Sequence, residues 1–282
     1  MKLALLADVH ANLPAFQAVL EDLAAWRPDR VIFLGDVLNR GARPEACWAL
    51  LQDKVATENW AVLRGNHEEY VASRERTPLD PASPAFAIAA SSWWTYQRLG
   101  LRAAVLDALP FSLSLADPAG GELRLAHASM LGTREGIYPE SDDAEIRSRL
   151  GPPGAALFAA GHTHRPLVRR LDPTLVVNTG AVGMPFDGDP RAAYARCRWR
   201  RGRWEAEIRR LPYDRQATEV DFVHTGFLAH GGPLVPLMLQ ELRLARPLIG
   251  NWARRYEADC LAGRITVEAS VRHYLEALGL EP

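Results

Sequence analysis

Leu3-Ala4-Leu5-Leu6-Ala7-Asp8-Val9-His10 opens with five apolar residues and then turns to an acid, a valine and a histidine. A short continuous apolar run bounded by polar residues marks a strand buried on both faces. A helix is expected next: Leu13, Phe16, Leu20 and Leu23 draw one apolar stripe at spacings of 3, 4 and 3, with Pro14 near the first turn. Val31 to Leu34 is a second buried strand, ending in Gly35-Asp36. Pro44 to Leu51 forms another helix, and Ala61-Val62-Leu63 a third strand that runs into Gly65-Asn66-His67-Glu68. The order β, α, β, α, β implies a parallel sheet covered by helices.

Outward from this unit the pattern loosens. Pro78, Pro81 and Pro84 mark a loop, and Ala85 to Leu99 and Leu101 to Leu109 are expected to be helical, carrying Trp93, Trp94 and Tyr96. Phe111 to Leu115 and Glu122 to Ala126 flank the turn-rich Asp117-Pro118-Ala119-Gly120-Gly121, which predicts a hairpin. Asp142 with Glu145 caps a short helix to about Leu150. Ala155 to Ala160 and Leu175 to Val177 are further strands, and Tyr194 to Trp199 with Trp204 to Leu211 a second hairpin. After Asp214 the spacing is helical in Leu234 to Leu248, Ile249 to Leu261 and Thr266 to Leu278. Residues 1–215 are therefore read as one catalytic domain and 216–282 as a helical extension, either a cap over the site or an interface.

The 282 residues are 48% apolar and 24% charged, with 33 basic against 34 acidic side chains and a net charge of -1. Such a chain buries a core without staples, and its balance creates no overall field toward nucleic acid or anionic lipid. All basic residues are arginine except Lys2 and Lys54. Cys47, Cys197 and Cys260 form no CxxC pair, which argues against a zinc ribbon or disulfide framework and fits a reducing compartment. No apolar run reaches the length of a membrane span, and the opening run breaks at Asp8, short of a signal peptide. The expectation is a cytoplasmic protein with no membrane partner.

The unusual residues all follow strand ends: Asp8 and His10, Asp36, Asn66 and His67, His127, and His162 and His164 in Gly161-His162-Thr163-His164. They include five of the eight histidines. At that edge of an open α/β sheet, side chains from successive strands converge on a ligand. Imidazole, carboxylate and amide oxygen without thiolate suit Mn, Fe, Zn, Ni or Mg. Asp8, His10, Asp36, Asn66, His127, His162 and His164 are too many for one four-coordinate ion. Two divalent ions sharing a bridging Asp36 leave each with about four protein ligands and an open position. Ions ~3.5–4 Å apart hold a bridging hydroxide and clamp a phosphoryl group for in-line attack.

In order and spacing these motifs resemble the motif set of the calcineurin-like metallophosphoesterases across residues 1 to about 212. That family is a two-sheet α/β sandwich flanked by helices, with the dinuclear centre between the sheets, and the resemblance implies the same here. By motif, Asp8, His10, Asp36 and His164 would bind one ion and Asp36, Asn66, His127 and His162 the other, with Mn first among the metals. His67 would contact the phosphate and protonate the leaving oxygen, with Glu68 orienting its loop. Asn178-Thr179-Gly180-Ala181-Val182-Gly183 and Asp187-Gly188-Asp189-Pro190-Arg191 resemble segments of the small bacterial and archaeal phosphodiesterase branch, with Thr179 and Ala181 replacing Pro and Ser. In Gly35-Asp36-Val37-Leu38-Asn39-Arg40-Gly41, Arg40 is placed to ground a phosphate. Asn39 lacks the charge that the protein phosphatases carry at that position.

The expected activity is a phosphodiesterase or a nucleotide or dinucleoside polyphosphate hydrolase with Asp36, Arg40 and His67 in catalysis. A phosphomonoesterase, protein phosphatases included, is an alternative. A catalytically silent metal-binding scaffold, as in the retromer subunit of this fold, is another, and the intact ligands and His67 weigh against it. The substrate is a small phosphorylated molecule. The arginines at 196, 198, 200, 201, 203, 209 and 210 leave nucleic acid open, although a solvated hairpin with Trp199 and Trp204 packed across its strands is favoured. Trp93 and Trp94 are read as core in preference to a base-stacking pair, and oligomeric state is left open.

Overall fold

In the computed structural model, which describes residues 1–281, β1 (Lys2–Leu6) is the centre of the first sheet. Its odd residues Leu3 and Leu5 pack between the two sheets, and its even residues Ala4 and Leu6 pack under helices. Both faces are buried, which is why its sequence shows no polar alternation. It pairs in parallel with β2 (Arg30–Phe33), which pairs in parallel with β3 (Ala61–Val62). On its other side lies the antiparallel hairpin of β9 (Ala192–Arg200) and β10 (Arg203–Leu211), giving the order β10-β9-β1-β2-β3.

The second sheet holds β4 (Ser112–Ala116), β5 (Glu122–Ala126), β6 (Ala155–Ala160), β7 (Leu167–Leu171) and β8 (Thr174–Asn178) in the order β4-β5-β6-β8-β7. β5, β6 and β8 run parallel, and β4 and β7 close the edges antiparallel. Leu123, Leu125, Leu157, Ala159, Leu175 and Val177 meet Leu3, Leu5, Ile32 and Leu34 across the gap. The expected two-sheet α/β sandwich flanked by helices is thus the observed fold. β7 is a strand that sequence reading passed over.

On the outer face of the first sheet lie α1 (Leu13–Trp26), whose N-cap Asn12 accepts from Ala15 N at 3.2 Å, and α2 (Pro44–Glu58), entered through Pro44. Then come α3 (Asn66–Arg76), α4 (Pro84–Leu99) and α5 (Ala103–Asp107), with α6 (Asp143–Arg149) capped by Asp142 as expected. α7 (Arg215–His224) and α8 (Phe227–His230) follow the hairpin. α9 (Val235–Leu244) comes next, then α10 (Ile249–Trp252), which passes through a π-helical turn (Ala253–Glu257) into α11 (Ala258–Leu261). α12 (Val267–Ala277) completes the described helices.

The C-terminal helices share one apolar cluster with α4: Trp94 packs on Phe227 at 4.7 Å between ring centroids, among Leu237, Met238, Trp252 and Leu275. Trp94 is therefore core. α7 is tied to α1 by Thr218 Oγ1, which donates to Asn12 Oδ1 at 3.0 Å. On the arginine hairpin Trp199 and Trp204 stand directly opposite, with ring centroids 5.5 Å apart. Its charges are largely answered within the fold: Arg196 and Arg209 meet Asp22 at 2.6 and 3.4 Å, Arg198 meets Glu207 at 3.5 Å, and Arg210 pairs with Asp187. Cys47, Cys197 and Cys260 are buried free thiols. Among the described residues no helix is long and apolar enough to cross a membrane.

Candidate metal centre

Each chemically distinctive side chain lies just beyond the carboxyl end of a strand: Asp8 and His10 after β1, Asp36 after β2, Asn66 and His67 at the start of α3 after β3, His127 after β5, and His162 and His164 after β6. The two sheets face each other, so these five loops meet at one edge of the sandwich. The turns are sharp. Among the described residues eight of the twelve non-glycine residues with positive φ belong here: Asp8, His10, Ala11, Asp36, Asn39, Arg40, His162 and His164. Each such conformation costs about 1–3 kcal/mol and persists only where the surroundings over-determine it. Gly65 shows how tight the approach is, since a Cβ there would stand 2.0 Å from Asp36 Oδ1.

Three groups of ligand-type atoms lie mutually within 4.8 Å: Asp8 with His10 and His164, Asp8 with Asp36 and His127, and His10 with Asp36 and His67. Asn66 joins them through Oδ1, which is 2.9 Å from both His127 Nε2 and His162 Nδ1. All seven residues read from the sequence as ligands thus converge, and His67 with them. His10 Nε2 and His164 Nε2 face each other at 3.0 Å, and Asp8 Oδ1 lies 3.7 and 3.4 Å from them. Asp36 Oδ2 stands between the halves, 3.8 Å from His10 Nε2 and 3.3 Å from His127 Nε2.

These residues fit a cation. Asp8 Oδ1 is buried with no hydrogen-bond partner, an arrangement that costs free energy unless something positive meets it. The outer nitrogens of two rings are already committed: His127 Nδ1 donates to Leu34 O at 2.9 Å and His164 Nδ1 to Met184 O at 2.5 Å. That leaves the Nε2 lone pairs pointed inward, the tautomer a metal requires. The free carboxylate oxygens are likewise tied back. Asp8 Oδ2 accepts from His162 N and Asp36 Oδ1 from His67 N, each at 2.8 Å.

Charge follows the same logic. Burial opposes ionisation of Asp8, yet His164 and His10 hold its carboxyl below the usual range. Burial likewise opposes ionisation of Asp36, and His127 holds its carboxyl well below that range. Burial also works against a charged His127, but the Asp36 carboxylate pushes it up to about 9, a proton that a cation would displace. Burial lowers His162 to about 4, leaving a neutral ring. Glu68, raised to about 7 by burial and by Asp36, accepts from the backbone N–H groups of Asp36, Val37, Leu38 and Gly65 at 2.7 to 3.2 Å. It pins the Asp36 turn to the start of α3, the orienting part read for it from sequence.

Beside the ligands, Asn39 Nδ2 lies 2.8 Å from His67 Nδ1. An amide N–H donating to Nδ1 puts the ring proton on Nε2. Arg40 is ion-paired to Glu241 of α9, a buried acid whose other oxygen accepts from Leu248 N and Ile249 N at 2.7 and 2.9 Å. Arg40 also lies 5.5 Å over the ring of Phe186, which stacks on His164 at 4.3 Å. Sequence reading missed Glu241 and Phe186. The available signal for Glu241 was an acid on the apolar stripe of Leu234, Met238 and Ala245.

The profile of the calcineurin-like phosphoesterase superfamily domain matches residues 1–200. The chain belongs to this superfamily. This calcineurin-like phosphoesterase is thus a metal-dependent hydrolase of phosphoester bonds. It is similar to the uncharacterized protein MJ0912 of Methanocaldococcus jannaschii, 28% identical over 230 residues, which cover 75% of this chain and 88% of the relative. Among solved structures it is similar to a metallophosphoesterase from Sphaerobacter thermophilus, with a TM-score of 0.67, 28% identity, and 87% of this chain and 99% of that one covered. The hypothetical protein PH1004 of Pyrococcus horikoshii shares the fold at a TM-score of 0.68 and 20% identity, over 82% of this chain and 98% of that one.

Proposed function

We propose that this phosphoesterase is a phosphodiesterase with a dinuclear centre, acting on a small nucleotide-like ester. Asp8, His10, Asp36 and His164 would hold one divalent ion and Asp36, Asn66, His127 and His162 the other, with manganese the first choice and Fe, Zn, Ni or Mg acceptable to the same donors. When bound, the ions neutralise phosphoryl oxygens and lower the pKa of water enough to make a nucleophile near neutral pH.

The chain's own residues do the rest. Asp36 balances charge between the two halves of the centre. His67, its Nδ1 accepting from the Asn39 amide, turns Nε2–H to the leaving oxygen and stabilises by hydrogen bonding the charge that develops there, the proton itself coming from water. Arg40 grounds a non-bridging oxygen, and its buried Nε has no partner within the protein. One observation carries the preference for diesters: Arg40 is already neutralised by buried Glu241. Outside the metals the site therefore offers little surplus positive charge, which suits the single charge of a diester better than the double charge of a monoester.

The test is hydrolysis of bis(p-nitrophenyl) phosphate beside p-nitrophenyl phosphate by protein reconstituted with Mn, Ni, Mg or Zn. A higher kcat/KM on the diester is expected. Faster monoester turnover would overturn the diester preference, and no turnover of either with both metals bound would make the chain a silent scaffold.

A further inference from the structure

Next to His67 lies a half-open cavity of about 330 Å³, at the small end of the ~300–1,000 Å³ typical of ligand sites. Asn39, Arg40 and His67 lie on its metal side. α4 contributes Ile88 and Ala89, and the C-terminal helices contribute Leu234, Met238, Ile249 and Trp252, so most of the wall is apolar. Two charged groups interrupt it, Arg74 of α3 and Glu257 at the end of the π-helical turn.

We infer that this cavity is a nucleobase subsite, in which the apolar walls take the faces of the base and Arg74 and Glu257 take its polar edge. The inference rests on the phosphodiesterase reading above and names the organic group that site accepts. Three features support it. Arg74 donates through Nε to Tyr70 O at 3.1 Å and through Nη2 to Ser73 Oγ at 2.7 Å, while its Nη1 is buried without a partner. Burial alone acts on this guanidinium, with no acid offsetting it. Ala253 and Glu257 lie on the π-helical turn, and such turns are frequent at functional sites.

The donor set then selects the occupant. A guanidinium only donates and a carboxylate only accepts, so the pair matches an edge that offers both acceptors and donors. Heteroaromatic bases have that edge between two apolar faces. A second phosphate would satisfy Arg74 but meet the negative charge of Glu257. An acyl chain would suit the walls and leave both charges unpaired. The volume holds one nucleoside-sized group.

The experiment is calorimetric titration of the metal-reconstituted protein with guanosine, adenosine, purine riboside and ribose. Guanosine and adenosine are expected to bind. Purine riboside, which keeps the faces but lacks the exocyclic donor, should bind about threefold weaker or worse, and ribose should not bind. Ala89→Phe, which fills the cavity, should weaken guanosine about tenfold or more. Glu257→Gln, at a partly exposed position, should narrow the gap between guanosine and purine riboside. Ribose binding as tightly as guanosine would overturn the subsite, as would unchanged guanosine affinity in both variants with native circular dichroism. Nucleoside binding by a protein that hydrolyses no diester would leave the subsite standing and remove the phosphodiesterase reading. Diester hydrolysis without nucleoside binding would remove the subsite alone.

Discussion

The Asn39 amide, 2.8 Å from His67 Nδ1, sets the proton inventory of the site. Loss of water around the ring holds the His67 pKa well below its usual value, and no carboxylate on the Nδ1 side restores it. A carboxylate there favours the imidazolium by about 1–3 units. Asn39→Asp is thus expected to raise the His67 titration by that amount, read by NMR of the labelled imidazole in the magnesium-loaded protein; no upward shift would separate the two side chains in solution. His67→Ala should lower kcat on diesters by ~10²–10³ with metal content unchanged, the range for loss of one hydrogen-bond donor to developing charge. A variant that kept its rate would place the group that meets the leaving oxygen elsewhere. At this scale the convergence of Asp8, His10, Asp36, Asn66, His127, His162 and His164 was legible because histidine, acid and amide stand out at the ends of apolar strands. Glu241 was passed over: its partner Arg40 is 201 positions away, and only its place on an apolar stripe set it apart from a solvated acid.

Strand ends place the candidate ligands; the strands read most directly are buried on both faces, and the edge strands β4 and β10 were found through the turn residues of their hairpins. β1 and β6 read as continuous apolar runs because both faces are covered. β7 was missed because two arginines break its apolar run: Arg169 donates to Ser141 O and Pro139 O, and Arg170 to Trp204 O. α3 was missed because Asn66–Arg76 buries only Val71 and Ala72 as apolar contacts, so no stripe announces it. It is fixed by its first turn, where Glu68 collects four backbone N–H groups. α9 is joined to the catalytic loops through Glu241. Breaking a buried ion pair by removing one partner costs about 3–5 kcal/mol. Glu241→Ala is therefore expected to lose about that much stability in urea denaturation, and a loss below ~1 kcal/mol would mean that the Arg40 pair does not hold α9 in place.

Over the whole molecule, the two sheets bring five loops to one edge, and the C-terminal helices with α4 wall the cavity beside it. The cavity was not legible in the sequence, because it arises where residues 39–40 and 67–92 meet residues 234–257 and no segment specifies the others locally. The buried ligand set links metal to stability. Ligands that bind only the folded state add RT ln(1 + [L]/Kd), ~4 kcal/mol per site at a thousandfold excess over Kd. Chelation should accordingly lower the Tm and manganese should restore it; a Tm indifferent to both would argue against occupancy of the centre. The central claim is that two ions share Asp36, and metal stoichiometry by mass spectrometry after reconstitution and gel filtration tests it most directly. Two ions per chain are expected in the parent protein, one in His164→Ala, and none in Asp36→Ala. A single ion in the parent, or two retained by Asp36→Ala, would contradict it.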